Sequence, residues 1–365
     1  MDISPIVGVV VITALAFDFT NGFHDTANAM ATSIATGALR PKVAVAISAV
    51  LNLVGAFLSI QVAKTISGGI VDEGLISPSV IFAGLVGAIV WNLLTWLFGL
   101  PSSSSHALFG GLIGATWVAS GSNAIHFGTV VEKVLIPAVA SPVIAGVVAM
   151  LATYLAYTIT RRTKDSTRTA GFRTGQVASA SLVSLAHGTN DAQKTMGVIT
   201  LTLITAGSLP SGASPPLWVI GSAGLAIAAG TYLGGWRIIR TLGKRIVDIE
   251  SPQGFSAETS AAAVILTSSQ VGFALSTTHV CAGGVIGAGV GKRLSEVRWD
   301  MAGRMAVAWL LTLPAAAIVG ALASRLATEG TTGTVAVAAL AVVIAAAVYW
   351  MSRRDPIGAH NVNDV

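Results

Sequence analysis

The sequence predicts an all-α polytopic membrane protein, an inverted-topology repeat with two re-entrant helical hairpins. Three observations carry that prediction. Of 365 residues, 53% are hydrophobic and only 10% are charged, against about 25% charged in a typical soluble domain. Several apolar runs reach the ~20 residues that a helix needs to cross hydrocarbon. Three landmarks recur in the same order in both halves of the chain, with basic residues biased oppositely around them.

Composition excludes several classes at once. Helices of a large soluble protein carry a polar face. The runs Val43–Val62, Val134–Ile159, Leu217–Gly235, Met305–Ala323 and Val335–Met351 have none. The stretch from Ile3 to Phe17 is apolar, lacks a basic segment before it and has no cleavage site after it. It reads as a retained span and not as a signal peptide. A single cysteine, Cys281, leaves no partner for an internal disulfide. The net charge of +5 sits in loops, where it reports topology and not nucleic-acid binding.

The repeat is read from three pairs. NGFHDTANAMA (Asn21–Ala31) matches HGTNDAQKTMG (His187–Gly197), 166 residues on. KTISGGIVD (Lys64–Asp72) matches RTLGKRIVD (Arg240–Asp248), 176 on. GLPSSSSHALFGGLIGA (Gly99–Ala115) matches GFALSTTHVCAGGVIGA (Gly272–Ala288), 173 on. Charge gives the sign of the repeat. Arg237, Arg240, Lys244 and Arg245 stand where the first half keeps only Lys64, followed by Asp72 and Glu73. Lys292, Arg293, Arg298 and Arg304 follow the second hydroxyl motif, but only Glu132 and Lys133 follow the first. Basic loops mark the cytoplasmic side, so corresponding loops are expected on opposite sides, as in secondary transporters built from inverted repeats.

The elements follow in order. The N-terminus starts outside, and residues 3–36 enter, ending at Arg40 and Lys42. Residues 43–63 return outward, residues 79–119 form a hairpin bent at the serines, and residues 134–160 go in. In the second half, residues 177–206 go out, 217–236 come in, 259–291 form a hairpin open to the cytoplasm, and 302–323 go out. A last helix, 334–351, returns to Arg353 and Arg354. The expected units are a first repeat (1–160), a cytoplasmic basic linker (161–176), a second repeat (177–325) and an extra C-terminal helix and tail (326–365). The protein is expected in the cell membrane, with its C-terminus cytoplasmic.

Backbone at membrane depth must be satisfied or must line a polar cavity. SSSSH and STTH each precede a short apolar arm of about 12 residues, too short to span. A hairpin whose tip is a helix N-terminus solves this. Ser102 to Ser105 would stand before His106, and Ser276, Thr277 and Thr278 before His279. Ser and Thr cap helix N-termini, and free amides with the helix dipole make such an end an anion site. Gly110, Gly111, Gly283 and Gly284 permit close packing behind both tips. His106 and His279 either donate to the anion or cap and pack. Trp91 and Trp96 read as packing or interfacial residues.

Asp25 and Asp191 occupy equivalent apolar positions, and an ionisable residue inside a membrane is a functional candidate. His24 and Asn190 precede them. Asn21 matches His187, Phe23 matches Thr189, and Asn28 matches Lys194. Gly22 and Gly188 could break the two helices and expose carbonyls, which with a carboxylate would suit Na⁺. A carboxylate beside an imidazole suits proton transfer. Lys194, protons or a bound metal could balance an anion, or Lys194 could pair permanently with Asp25. Asp18 reads as near-interfacial, and Glu132, Asp248 and Glu258 as solvated.

These paired signatures resemble those of the inorganic phosphate transporter (Pit) family over residues 3–323, and His24 in place of a second Asn resembles its bacterial, proton-coupled branch. The resemblance implies a secondary transporter of inorganic phosphate, usually a homodimer, moving phosphate as a neutral metal–phosphate complex. It implies phosphate contacts at Ser103, Ser104, Ser105, Ser276, Thr277 and Thr278. It also implies a coupling and cation group of Asp25, Asn190 and Asp191, with Asn28 and Lys194 beside them. His24 joins that group, and His106, His279 and Thr189 are secondary candidates. No permanent metal, cofactor or enzymatic activity is expected. Proton symport leads, sodium coupling and another oxyanion such as sulfate remain alternatives, and an intramembrane hydrolase is disfavoured because four serines and a mirrored STTH serve no single nucleophile.

Overall fold

Proline opens many of the helices. It stands in the first turn of α1 (Pro5–Ala35), α2 (Pro41–Gly55) and α4 (Pro78–Leu97), where its missing N–H costs nothing. The structure, a computed structural model, describes residues 4–364. Met1, Asp2, Ile3 and Val365, and with them the expected start of the first span at Ile3, lie outside the described residues, as does the side chain of Ser295.

The chain continues from α2 into α3 (Gln61–Gly69) and from α4 into α5 (Ser104–Ser120). A short turn, α6 (Phe127–Val130), leads into α7 (Ile136–Ile159). The second half holds α8 (Asp165–Thr205), α9 (Leu217–Leu233), α10 (Trp236–Arg240), α11 (Ser251–Gln270), α12 (Thr277–Lys292) and α13 (Trp299–Ala327), and α14 (Thr331–Ser352) closes the chain. No strand forms among the described residues. Two isolated β-bridges, Val71 with Ile125 and Val247 with Val297, sit at equivalent places in the halves.

Among the described residues, five helical runs are long and apolar enough to cross a membrane: Pro5–Ala35, Pro78–Leu97, Phe127–Ile159, Trp299–Ala327 and Thr331–Ser352. Leu217–Leu233 with Trp236–Arg245 makes a sixth, bent by 61°. α7, α13 and α14 turn apolar side chains such as Val139, Leu310 and Val342 outward, as a hydrocarbon solvent permits.

The halves are interlocked. α1 packs on α9 and α8 on α2, while α5 packs on α13 and α12 on α7. Equivalent glycines make these contacts. A Cβ on Gly22 would stand 2.2 Å from the Ile227 carbonyl oxygen, and one on Gly188 would stand 2.3 Å from that of Asn52. A Cβ on Gly114 would lie 2.0 Å from the Ala317 oxygen, and one on Gly287 would lie 2.0 Å from that of Gly146. Only glycine allows backbones this close.

Several expectations are corrected here. Gly22 and Gly188 do not break their helices, because α1 and α8 run through them and the glycines serve packing instead. The run Val43–Val62 is not one helix: α2 stops at Gly55 and α3 begins at Gln61. Its counterpart Leu217–Gly235 likewise stops at Leu233, where Gly234 takes φ +76°, a value that favours glycine. The arms after the hydroxyl tips have 17 and 16 residues, longer than the 12 read from hydropathy, because glycines and alanines extend them. The basic linker is helical from Asp165, as the start of α8.

Candidate functional site

α5 and α12 both begin at buried hydroxyl clusters. Ser103 caps α5, its Oγ accepting the His106 amide at 3.1 Å. Ser276 caps α12 in the same way, accepting the His279 amide at 3.2 Å. The tips meet. Ser105 Oγ donates to the Leu275 carbonyl at 3.1 Å, and the rings of His106 and His279 lie 4.9 Å apart. Ser104, Ser105, Thr277 and Thr278 occupy the first turns of their helices, where amides have no carbonyl partner within the helix.

The carboxylates come from the middles of α1 and α8 and face these tips. Ser104 Oγ donates to Asp25 Oδ2 at 2.7 Å. Thr277 Oγ1 donates to Asp191 Oδ2 at 3.2 Å, the equivalent contact in the other half. Thr278 Oγ1 also reaches Asp25 Oδ1 at 3.4 Å. Asn28 Nδ2 donates to Thr278 Oγ1 at 3.0 Å and to Thr277 Oγ1 at 3.4 Å, tying α1 to the tip of α12. All these side chains are buried.

The two carboxylates differ in their counter-charges. His24 Nδ1 lies 2.6 Å from Asp25 Oδ1, and its Nε2 is 3.2 Å from Thr95 Oγ1. Lys194 Nζ lies 2.5 Å from Asp191 Oδ1. Lys194 therefore pairs with Asp191 and not with Asp25, because three residues along one helix bring the two together. Asn21 Nδ2 donates to Asp191 Oδ2 at 3.4 Å, and His187 Nε2 stands 3.3 Å from the same oxygen.

The structure brings together most of the residues predicted from sequence, with four exceptions. Asn190 leaves the carboxylates and donates to Ser269 Oγ at 2.9 Å and to the Phe273 carbonyl at 3.3 Å, bracing the hairpin of α11 and α12. Thr189 turns its hydroxyl back to the Leu185 carbonyl within α8. His106 and His279 lie against one another at a tilt of 37°, and His279 stacks on Trp309 with centroids 4.2 Å apart, so both rings pack behind the tips.

Sequence reasoning missed several members. Asn21 and His187 each precede an Asp by four residues, so helix periodicity could have found them. Glu258, read as solvated, is buried on α11. Its Oε1 accepts from Thr32 at 2.6 Å and from Gln176 at 3.2 Å, and its Oε2 accepts from Ser179 at 2.5 Å. Glu132 and Asp248 are exposed, as read. Asp18, read as near-interfacial, is wholly buried.

Ligand atoms of Asp25, His187 and Asp191 lie within 4.8 Å of one another. Two carboxylates and an imidazole form a mixed oxygen and nitrogen donor set, which suits a transition metal better than Mg²⁺ or Ca²⁺. The side-chain carbonyl oxygens of Asn21 and Asn28, buried and without partners, could accept from a cation or from a protonated anion. The site thus presents hydroxyl and amide donors, carboxylate acceptors and one fixed cation around a single buried point.

Comparison with known proteins gives this geometry its context. Over 358 residues, 97% of this chain and 86% of the relative, the chain is 60% identical to a probable low-affinity inorganic phosphate transporter of Mycobacterium bovis. A protein of the same description from Bacillus subtilis is 43% identical over 88% of this chain and 98% of its own. The fold is similar to a solved structure described as a sodium-dependent phosphate transporter, with a TM-score of 0.74 at 22% identity, covering 88% of this chain and 98% of that one. Residues 21–320, which hold both carboxylates and both hydroxyl tips, match the phosphate transporter family, and the chain belongs to that family.

Proposed function

We propose that the protein imports inorganic phosphate by proton symport, with alternating access between two inverted repeats that carry re-entrant hairpins. One observation carries the reading: two helix N-termini from different halves bring Ser104 and Thr277 onto Asp25 and Asp191. Phosphate would take the hydroxyls and first-turn amides of both tips. A protonated phosphate also donates hydrogen bonds, so carboxylates beside an anion site select phosphate over sulfate.

An uncompensated dianion cannot cross lipid. Lys194 supplies one tethered positive charge, and a co-transported proton supplies another. A metal that accompanies phosphate would fit at Asp25, His187 and Asp191. Lys194 holds the place that Asn28 has in the first half, and His24 the place of Asn190. Both exchanges put a protein cation or a titratable ring beside a carboxylate, which favours protons over sodium.

The reversed basic loops support the inverted orientation, with the N-terminus outside and the C-terminus inside. One mouth fits this scheme. Ala35, Thr36, Arg168, Arg173 and Glu250 line a cavity of about 230 Å³, and Thr36 bonds Gln176, which in turn bonds Glu258. This chain of polar groups leads along α1 toward the site. The working unit is proposed as a homodimer in the cell membrane, as the resemblance implies.

The test is uptake of labelled phosphate into vesicles holding the purified protein, with pH and Na⁺ gradients imposed separately. Accumulation driven by pH without Na⁺ is the expected result, and accumulation that requires Na⁺ would overturn proton coupling.

A further inference from the structure

Four carboxylates are buried among the described residues: Asp18, Asp25, Asp191 and Glu258. Three are fully furnished with donors. Asp25 has Ser104, His24 and Thr278, Asp191 has Lys194, Thr277 and Asn21, and Glu258 has Thr32, Gln176 and Ser179. Asp18 has none. It is 0% exposed, and neither carboxylate oxygen has a hydrogen-bond partner.

Its place is also particular. Asp18, Asn21, Asp25, Asn28 and Thr32 fall at alternating spacings of three and four, so they share one face of α1. Asp18 lies two turns before Asp25, about 10 Å along the axis. Thr195 and Asn21 are the polar side chains that face it, and Asp191 and Lys194 are the charged ones, across from α8. The Thr195 hydroxyl is itself without a partner. α4 carries no ionisable residue, and the single one on α9, Tyr232, is exposed. Gly235, just before α10, approaches α1 at Phe23, and the hairpin residues Ser104, Thr278 and Glu258 reach it at Asp25 and Thr32.

We propose that Asp18 carries the coupling proton, apart from the groups that bind the anion. The inference rests on the proton-coupled reading above. Buried without a hydrogen bond, an ionised carboxylate costs far more than the neutral acid. Asp25 and Asp191 are the reverse case: as ions they are satisfied, and protonation would cost them the donors they hold. The link to phosphate runs through Lys194. With a proton on Asp18, the ammonium is free for Asp191 and the anion. When the O–H bond at Asp18 breaks and the proton leaves to water, the new negative charge draws Lys194 away and loosens the anion. The halves differ here, since the second half has Ser184 at the equivalent position, 18 plus 166.

Two modes of transport separate this role from anion binding. Net uptake driven by a pH gradient requires the proton to load and unload. Exchange of labelled for unlabelled phosphate at equal concentrations requires only anion binding and the conformational cycle. In vesicles, Asp18→Asn should lower driven uptake by about tenfold or more and leave exchange within about twofold of the parent. Asp18→Glu should keep driven uptake. Asp18→Ser installs the residue that the fold already accepts at Ser184, and serves if the Asn variant does not fold. Driven uptake at the parental rate in the Asn or the Ser variant overturns the inference, and so does parallel loss of exchange and driven uptake in the folded Ser variant. If the parent protein follows only Na⁺, the proton reading itself fails. If the parent and Asp18→Asn both follow pH, that reading stands and Asp18 alone is misassigned.

Discussion

Lys194 lies one helical turn after Asp191 on α8, with its Nζ 2.5 Å from Asp191 Oδ1 and both side chains closed to solvent. Removing one partner of a buried pair leaves an uncompensated charge, at a cost of about 3–5 kcal/mol. Lys194→Ala should therefore lower the thermal midpoint of the detergent-solubilised protein markedly. The double variant Lys194→Ala with Asp191→Asn should recover part of that loss, as the melting curves of the three proteins would show.

Asp191→Asn alone should abolish uptake while the protein, though less stable for leaving Lys194 unpaired, still folds in the membrane. The amide keeps the shape but loses the charge that Lys194, Thr277 and Asn21 address. Normal accumulation of labelled phosphate by this variant would remove Asp191 from the site.

The hydroxyls should separate into two kinds. Ser104→Ala and Thr277→Val each remove a donor aimed at a carboxylate, worth about 1.4 kcal/mol or a tenfold rise in KM for phosphate. Ser103→Ala and Ser276→Ala remove N-caps, so they should cost about 1 kcal/mol of stability. Paired uptake kinetics and melting curves distinguish the two.

Selectivity should follow protonation of the anion. Arsenate should compete with labelled phosphate and sulfate should not, because sulfate brings no proton to donate to Asp25 or Asp191. Equal competition by both anions would show that the carboxylates do not choose.

Glycine contacts give a structural prediction. Gly114→Ala and Gly287→Ala place a methyl 2.0 Å from a backbone oxygen, where only main-chain movement can relieve it. Both should reduce yield and monodispersity on size-exclusion chromatography. Gly8→Ala, with nothing within 4 Å, should not.

Much of the site was legible because it is written twice. Asp25 with Asp191, and SSSSH with STTH, announce themselves by repetition, and each pair meets across the halves. Lys194 was legible as a charge but not as the partner of Asp191, since its reach toward Asp25 depends on how α8 lies against α1. Glu258 looked solvated because its donors, Thr32, Gln176 and Ser179, come from helices distant in sequence. Asp18 was hidden by its apolar neighbours, although its spacing to Asn21 and Asp25 held the clue. The break after Gly55 left no hydropathy signal, because Phe57 and Leu58 keep the run apolar while the backbone turns.

The crossed packing of α5 on α13 and of α12 on α7 has a consequence for how the chain can be cut. Each half leaves its last helix in the other's keeping, so a fragment ending near Thr160 would hold a groove with no occupant and a helix with no groove. Neither piece is a self-sufficient folding unit, yet the two are mutually complementary. Separately translated fragments divided between Thr160 and Asp165 should find each other in the bilayer and rebuild an active carrier, whereas either one alone should be degraded.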